Sequence, residues 1–459
     1  MRTPRCLAFA AAGAAAFTCG AAAFACGAAA FACGAAADSP PTPADPVAVE
    51  GHATRDLKRF GRDLDAAVRI NDFIYQARGT ANAQMVVTSE GNVVIDTGLP
   101  TQRWISSHLQ EVNDAPVTHL IATHAHGDHY GATSAFAEEG TEIITHAEFP
   151  HNQTYLKALA KTLMVRNKIF FPDDVPPLPA FAMAAMYPTI EPTRLVSDEY
   201  RFEQGGVRFE VLAMPGAEGS DGLVVWLPDH EILFTGDFNG HIFPMWPNLT
   251  TIRGERARFA LPYVDSLNRV LELDPKLLIP SHFEPIEGKE RIREGITRMR
   301  DAILYVHDRV IEGINDGKDV HTLMGEISLP DHLAVPEVHG KVSWGVRSIW
   351  EAYLGWFHLD STTELYAVPA REVYPEIVAL GGGAAVFAAR AQEHATSGEP
   401  ERALHFAAMA LAAEPDDEAA LEARLSALQL LLERSGGVNH YEVEWLRHRI
   451  GETRGELGL

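Results

Sequence analysis

The densest chemistry in the chain is the string THAHGDHYG, Thr123–Gly131. His124 and His126 stand two residues apart where a β-branched run, Val117–His124, ends, so both imidazoles can reach one metal ion. Asp128 and His129 follow on the next turn and can reach a second ion. The alternative is a solvated His-rich loop. The order of the residues, the preceding strand and the small Gly127 count against it. Upstream, Asp96 closes the run VVIDTG. An acid placed there serves by hydrogen-bonding the loop that holds the ligands rather than by touching a metal.

Such residues need rigid elements behind them. Met85–Gly98 reads as two strands with a tight turn at Glu90-Gly91-Asn92, and Gln102 to Asn113 as a helix. Further strands are expected at Val117–His124, Thr141–His146, 207–216, 223–228, 231–238 and Leu277–His282. Strands and helices in this order predict an α/β sandwich with functional residues on loops at strand ends. From Gly288 onward the pattern is helical. Residues 384–434 read as three helices, broken at Ser397–Pro400 and at Glu414–Asp416. The middle pair has tetratricopeptide-like Ala/Leu spacing. A single hairpin is too short for a repeat array and reads as a packing or dimerisation module without chemistry of its own.

With 46% hydrophobic and 22% charged residues in 459, the chain is an ordinary globular mix, neither a disordered acidic tail nor a disulfide scaffold. Its formal charge of -24 disfavours nonspecific contact with nucleic acid or an anionic membrane. Residues 1–37 carry Arg2 and Arg5, then an uncharged run to Ala35-Ala36-Ala37. This reads as a secretory signal, with an uncleaved anchor or a lipoprotein as the alternative. The expected location is therefore the periplasm or the exterior, or else a membrane anchor. All four cysteines (Cys6, Cys19, Cys26, Cys33) lie in this leader, so any metal of the mature chain must be held by His and carboxylates. Residues 38–60 are read as a linker that begins Pro-rich.

His124, His126, Asp128 and His129 together spell HxHxDH, and the chain here resembles the metallo-β-lactamase superfamily. The resemblance implies an α+β fold, an αββα sandwich, with three later ligands at strand ends. The loop PGAEGSDG (Pro215–Gly222) puts Glu218 where the superfamily generally has His, with Asp221 as the competing acid. LFTGDF supplies Asp237 and IPSH supplies His282. The Glu218 loop is similar to that of the alkylsulfatase (alkyl/aryl-sulfatase) family. The likeness continues in PNLTTIRGE, which gives Asn248 and Arg253, and in VSWGVRSIWEAYLGWF, Val342–Phe357. Beyond it, residues 381–407 resemble that family's helical dimerisation domain. Three departures stand out. The shared acid is Asp237 in GDF rather than Glu in AEN, His358-Leu-Asp-Ser-Thr replaces DGNPA, and the expectation is a protein lacking the family's C-terminal sterol-carrier-like domain.

The resemblance implies two divalent metal ions, zinc suiting a set without sulfur. His124, His126 and Glu218 would hold one ion, and Asp128, His129 and His282 the other. Asp237 would be shared, with Asp128 and Asp237 at the catalytic step and Asp96 supporting the loop. Water held by two dications loses a proton near neutral pH. Asn248 and Arg253 would bind a sulfate group, the alternative for Arg253 being a surface ion pair with Glu255. The implied enzyme is a metal-dependent sulfuric ester hydrolase acting on a small anionic ester with an apolar tail. Another ester, lactone or phosphodiester is the alternative substrate. Expected partners are a second copy, in a homodimer, with no nucleic acid and no stable membrane partner unless the N-terminus anchors it.

The catalytic domain is expected at 61–305 and the all-α dimerisation domain at 306–459. Ile169–Pro188 is read as a lid or as a loop packed on the core. Phe170, Phe171, Phe181, Met183 and Met186 would line a tail site, with Phe243, Met245 and Trp246 opposite. His146 and His241 lie near enough to support the site. His108, His119, His230, His307, His332 and His339 read as surface or packing residues.

Overall fold

The computed structural model describes residues 64–172, 175, 185–240 and 242–459. The leader, the linker, and Phe181, Met183 and His241 fall outside them.

Successive side chains on a strand point to opposite faces, and here that alternation sorts the apolar residues into layers. One sheet is built from β1 (Val68–Arg69), β2 (Ile74–Ala77), β3 (Ala83–Thr88), β4 (Gly91–Ile95), β5 (Val117–Ile121), β6 (Glu142–His146) and β7 (Arg194–Val196), in that spatial order. The second sheet runs β13 (Ile286–Glu287), β12 (Leu277–Pro280), β11 (Ile232–Gly236), β10 (Leu223–Leu227), β9 (Val207–Ala213), β8 (Glu199–Gln204). Val93, Ile95, Ile121 and Ile144 face Val211, Val225, Phe234 and Ile279 in the core between the sheets. Their neighbours turn outward. Val94 and Leu120 pack on Ile105 and Leu109 of α1 (Trp104–Val112). On the other side, Leu212, Val224, Leu233 and Leu278 pack on α5 (Ala260–Leu273) and α6 (Lys289–Asn315). The result is the expected αββα sandwich.

Register supplies one small correction. Thr88 pairs with Gly91, so the β3–β4 turn is Ser89-Glu90 rather than Glu90–Asn92, and Gly91 opens β4 at φ 123°.

A larger correction concerns the division expected at 305/306. It falls inside α6, whose Ile292, Ile296, Met299, Ile303, Val306 and Val310 form one stripe at helical spacing in the same core as the second sheet. That core also takes in α7 (Val320–Glu326) and α8 (Val342–Leu354). Beyond it come α9 (Tyr374–Leu380), α10 (Ala384–Thr396), α11 (Pro400–Ala413), α12 (Glu418–Arg434) and α13 (His440–Glu456). The breaks between α10, α11 and α12 lie where Gly398-Glu399-Pro400 and Pro415 interrupt the pattern. Before the second sheet, α2 (Gly127–Tyr130), α3 (Phe149–Ala158) and α4 (Ala160–Phe170) cover the site end of the first.

Candidate metal centre

β4, β5 and β6 are mutually parallel, and β9, β11 and β12 share one direction in the other sheet, so their C-terminal ends gather at one edge of the sandwich. Each expected side chain follows such an end. Asp96 follows β4, the histidine loop follows β5, Glu218 follows β9, Asp237 follows β11 and His282 follows β12. Backbone bonds tie the loops together, Leu223 N–H to Thr123 C=O at 2.8 Å and Ser281 N–H to Gly236 C=O at 3.0 Å. Gly236 sits at φ 54°, and a Cβ there would meet Thr123 Oγ1 at 2.7 Å. Only glycine lets the two sheets close this tightly.

The structure brings all seven side chains together in two groups. Donor atoms of His124, His126, Glu218 and Asp237 lie within 4.8 Å of one another, and those of Asp128, His129 and His282 do likewise. His124 Nε2 faces His126 Nδ1 at 2.7 Å, and His126 Nδ1 is 3.6 Å from Glu218 Oε2. Asp237 lies between the groups, with Oδ2 3.3 Å from His129 Nε2 and Oδ1 3.1 Å from His282 Nε2. His129 Nε2 and Asp237 Oδ1 are nevertheless buried without a well-formed hydrogen bond. Ligand atoms that crowd a common point and leave these two buried and unsatisfied fit a cation between them. Asp221, the competing acid, stands outside both groups and accepts from Ala125 N–H at 2.9 Å, fixing the loop instead.

Asp96 is fully buried at φ 57°, a conformation Asp tolerates better than most residues. It accepts from Thr123 N–H (2.8 Å) and Thr123 Oγ1 (2.9 Å) and from Ser281 Oγ (2.7 Å), and pairs with His129 Nδ1 at 2.8 Å. That last contact turns Nε2 of His129 toward Asp237.

Charge is distributed unevenly over the site. Burial and the neighbouring His129 and His126 rings hold His124 well below the usual histidine range, so it is neutral and able to donate a lone pair. Burial also opposes a charge on His129, but Asp237, Asp128 and Asp96 outweigh it and raise its pKa well above that range. Burial would raise Asp237, yet His129 and His282 hold it well below the carboxylate range.

Two functional neighbours escaped the sequence reading. Arg258, nearly fully buried, grips Glu218 with Nη1 at 3.0 Å and Nη2 at 2.8 Å, and holds Glu255 at 3.0 Å. Glu255 in turn meets His126 Nε2 at 3.2 Å and Arg253 at 2.7 Å. Burial opposes its ionisation, but Arg253, His126 and Arg258 hold it well below the carboxylate range. Arg253 is thus ion-paired with Glu255 and lines the site cavity as well. The alternating charges of RGERAR were the available signal, read only as a partner for Arg253.

The cavity over the two groups is lined by Asn248 and Arg253 and, on its apolar side, by Met164, Phe171, Met186, Tyr187 and Met245. Phe170, Phe243 and Trp246 play other parts. Phe170 stacks edge-on with Tyr441 at 5.3 Å, Phe243 sits against Gly295 of α6, and Trp246 is fully buried against Gly345. His339, expected at the surface or in packing, is buried and lines the cavity beside His440 and Tyr441 of α13. Arg253 Nη1 donates to Tyr441 Oη at 3.0 Å. His146 is buried beyond Asp221, with its Nδ1 accepting from Glu148 N–H at 3.0 Å. His307 is buried on α6 and bonded to Tyr353 at 2.8 Å.

Comparison with known proteins gives two family matches, the metallo-beta-lactamase superfamily over residues 77–282 and alkyl sulfatase dimerisation over 320–440. A linear primary-alkylsulfatase of Pseudomonas sp. (strain ATCC 19151) is 26% identical over 81% of this chain and 74% of its own length. An alkyl/aryl-sulfatase of Saccharomyces cerevisiae is 26% identical over 79% of this chain and 60% of its own length. The solved structure of a stereoselective inverting sec-alkylsulfatase from Pseudomonas sp. superposes with a TM-score of 0.73 at 21% identity, covering 88% of this chain and 70% of that one. That likeness is one of fold.

Proposed function

Because the chain carries a metallo-β-lactamase-superfamily domain followed by an alkyl sulfatase dimerisation domain, we propose that it hydrolyses alkyl sulfate esters to an alcohol and inorganic sulfate, with two divalent metal ions at the site. The observation that carries this reading is the convergence of seven His, Asp and Glu side chains, five of which line a cavity that also holds Asn248 and Arg253. His124, His126 and Glu218 would hold one ion, Asp128, His129 and His282 the other, with Asp237 between them. Zinc suits nitrogen and oxygen donors without sulfur. When bound, such ions supply Lewis acidity and lower the pKa of water.

The chain's own residues do the rest. Arg253 presents a planar fork of donors to the sulfate oxygens, held in place by Glu255 and by Tyr441. Asn248 has a buried Oδ1 without a partner, so its amide is uncommitted and can turn its N–H groups to the same oxygens. Phe171, Met164, Met186 and Met245 offer an apolar wall to the alkyl chain and exclude water from the ester bond. The relatives' printed activities and the Glu218 loop favour sulfate esters over other substrates.

The test is to purify the protein, count bound metals by elemental analysis, and assay a panel of alkyl sulfates, phosphodiesters and lactones. Sulfate release from alkyl sulfates with about two metals per chain is expected. Arg253→Ala should cut that release by roughly 100-fold, the order seen when a donor to developing charge is removed, with metal content unchanged. Turnover confined to lactones or phosphodiesters would overturn the substrate assignment. We also propose a periplasmic or secreted location, on the strength of Arg2, Arg5 and the uncharged run behind them. Recovery of the protein only from the cytoplasmic fraction of its host would refute it.

A further inference from the structure

Hydrolysis of a sulfate ester turns a singly charged substrate into a doubly charged product, since the ester anion and water give an alcohol, a sulfate dianion and a proton. A subsite that attracts anions by net positive charge therefore grips its product harder than its substrate, because attraction scales with the product of the charges. The wall of this site is built otherwise. Arg253, Arg258 and Glu218 line the substrate cavity. Glu255 lies on their other side, where it lines a second cavity with Ser220, Arg256 and Phe259. A backbone bond from Gly254 N–H to Thr251 C=O, 3.0 Å, closes the turn from which Arg253 and Glu255 meet. Oε1 of Glu255 takes Arg253 Nε at 2.9 Å and Nη2 at 2.7 Å. Oε2 takes Arg258 Nη2 at 3.0 Å and His126 Nε2 at 3.2 Å. With the side chain only 11% exposed, solvent screens this charge little. Arg253 and Arg258 are thus matched one for one by Glu255 and Glu218, and this stretch of wall carries no net charge of its own. Arg256, the next cation along the chain, is exposed and turned to Asn152 at 2.6 Å.

We propose that Glu255 sets the charge selectivity of the anion subsite. Acting through Arg253, it leaves the guanidinium's hydrogen bonds to a monoanionic sulfate ester and cancels the net charge that would favour dianions, inorganic sulfate and phosphate monoesters among them. The proposal rests on the sulfatase reading and goes beyond it by naming the residue that lets the charged product leave. Glu255 is a positioning residue, since it touches Arg253 rather than the ester. Arg253 keeps N–H donors for the ester oxygens after serving Glu255 and Tyr441, because a guanidinium carries five. A carboxylate behind such a fork preserves direction while removing long-range pull.

The experiment is calorimetry on the metal-loaded full chain with hexanesulfonate, hexyl phosphate and inorganic sulfate at pH 8. There the sulfonate carries one negative charge, and the phosphate ester nearly two. Wild type is compared with Glu255→Gln and Glu255→Ala, which drop the charge, and with Glu255→Asp, which keeps it; metal content is counted in each. In the neutral variants hexyl phosphate and inorganic sulfate should gain about tenfold or more in affinity relative to hexanesulfonate. Inorganic sulfate should then inhibit hexyl sulfate turnover at correspondingly lower concentration. The aspartate variant should keep the wild-type preference. Equal weakening of all three ligands, an unchanged preference, or neutral variants that shed their metal would make Glu255 a support for Arg253 and His126 alone and overturn the proposal. A charge effect on binding in a wild type that hydrolyses no alkyl sulfate would overturn the sulfatase reading and leave the effect of Glu255 on anions standing.

Discussion

Arg258 neutralises two buried acids at once, Glu218 through both oxygens and Glu255 through one, while its Nη1 also donates to the Asn248 carbonyl at 2.8 Å. Only a guanidinium can span such a set, since its donors lie in one rigid plane. Arg258→Met should leave Glu218 without its guanidinium, with Glu255 still paired to Arg253, and cost about 3–5 kcal/mol of stability, the range for breaking a buried ion pair from one side. Arg258→Lys should recover only part of that, because an ammonium cannot fork. Urea unfolding of the three proteins checks the order, and a methionine variant as stable as wild type would show that the acids do not depend on this residue. The alternating charges of this stretch are only a faint signal of that role. Arg258 is 40 positions from Glu218, and nothing in the local pattern of RGERARFA says that its side chain turns inward. The HxHxDH string was legible because its four ligands are local, and Asp96 because it ends a run of β-branched residues.

At the scale of elements, strands and helices with their own period were visible in advance, whereas docking between distant helices was not. α13 reaches the cavity because Asn439 caps it, accepting from Glu442 N–H at 3.0 Å, and donates to the carbonyls of Glu337 (2.8 Å) and Gly340 (3.2 Å). This one buried side chain fixes where His440 and Tyr441 stand, and a lone Asn before a polar helix announces none of it. Asn439→Ala should cost about 1 kcal/mol for the cap and roughly 1 kcal/mol more for each donor bond lost. It should also raise KM for an alkyl sulfate as Tyr441 loosens its hold on Arg253. Unchanged KM would separate α13 from substrate binding. Glu337, in the same joint, is half-buried and accepts from Val342 N–H at 2.7 Å. Burial raises its carboxyl pKa, with Val342 N–H and Lys341 opposing. A carboxyl raised in the folded state contributes its full share of stability below the unfolded value, about 4.3, and loses it as pH rises through the folded one. Glu337→Gln should therefore gain on wild type between pH 4 and pH 8, as urea midpoints at the two pH values would register. The 305/306 division cuts through α6 for a related reason. The onset of a long helical pattern resembles a domain boundary, but which partner its apolar stripe meets is set by the sheet.

For the whole molecule, the consequence of the site is mechanical as well as chemical. His124, His126, Asp128 and His129 hang from the first sheet, while Glu218, Asp237 and His282 hang from the second. Ions held among them would tie the two layers of the sandwich at one edge, and an unfolded chain offers the same ligands scattered over more than 150 positions. Removing metal should therefore destabilise the entire αββα unit rather than one loop. For each site held at a free metal concentration 100 times its Kd, binding contributes about 2.7 kcal/mol, so chelation should lower the calorimetric midpoint in a single cooperative transition. The acidic chain favours dications in general, so nonspecific binding must be separated from ligation. Asp237→Asn does this, because it removes the shared ligand and changes the total charge by only one. In that variant the chelator-dependent part of the midpoint should shrink by at least half, whereas a surface effect of the acidic chain would leave it nearly intact. An equal response to chelator in both proteins would mean that the two sheets are held together by their apolar core alone.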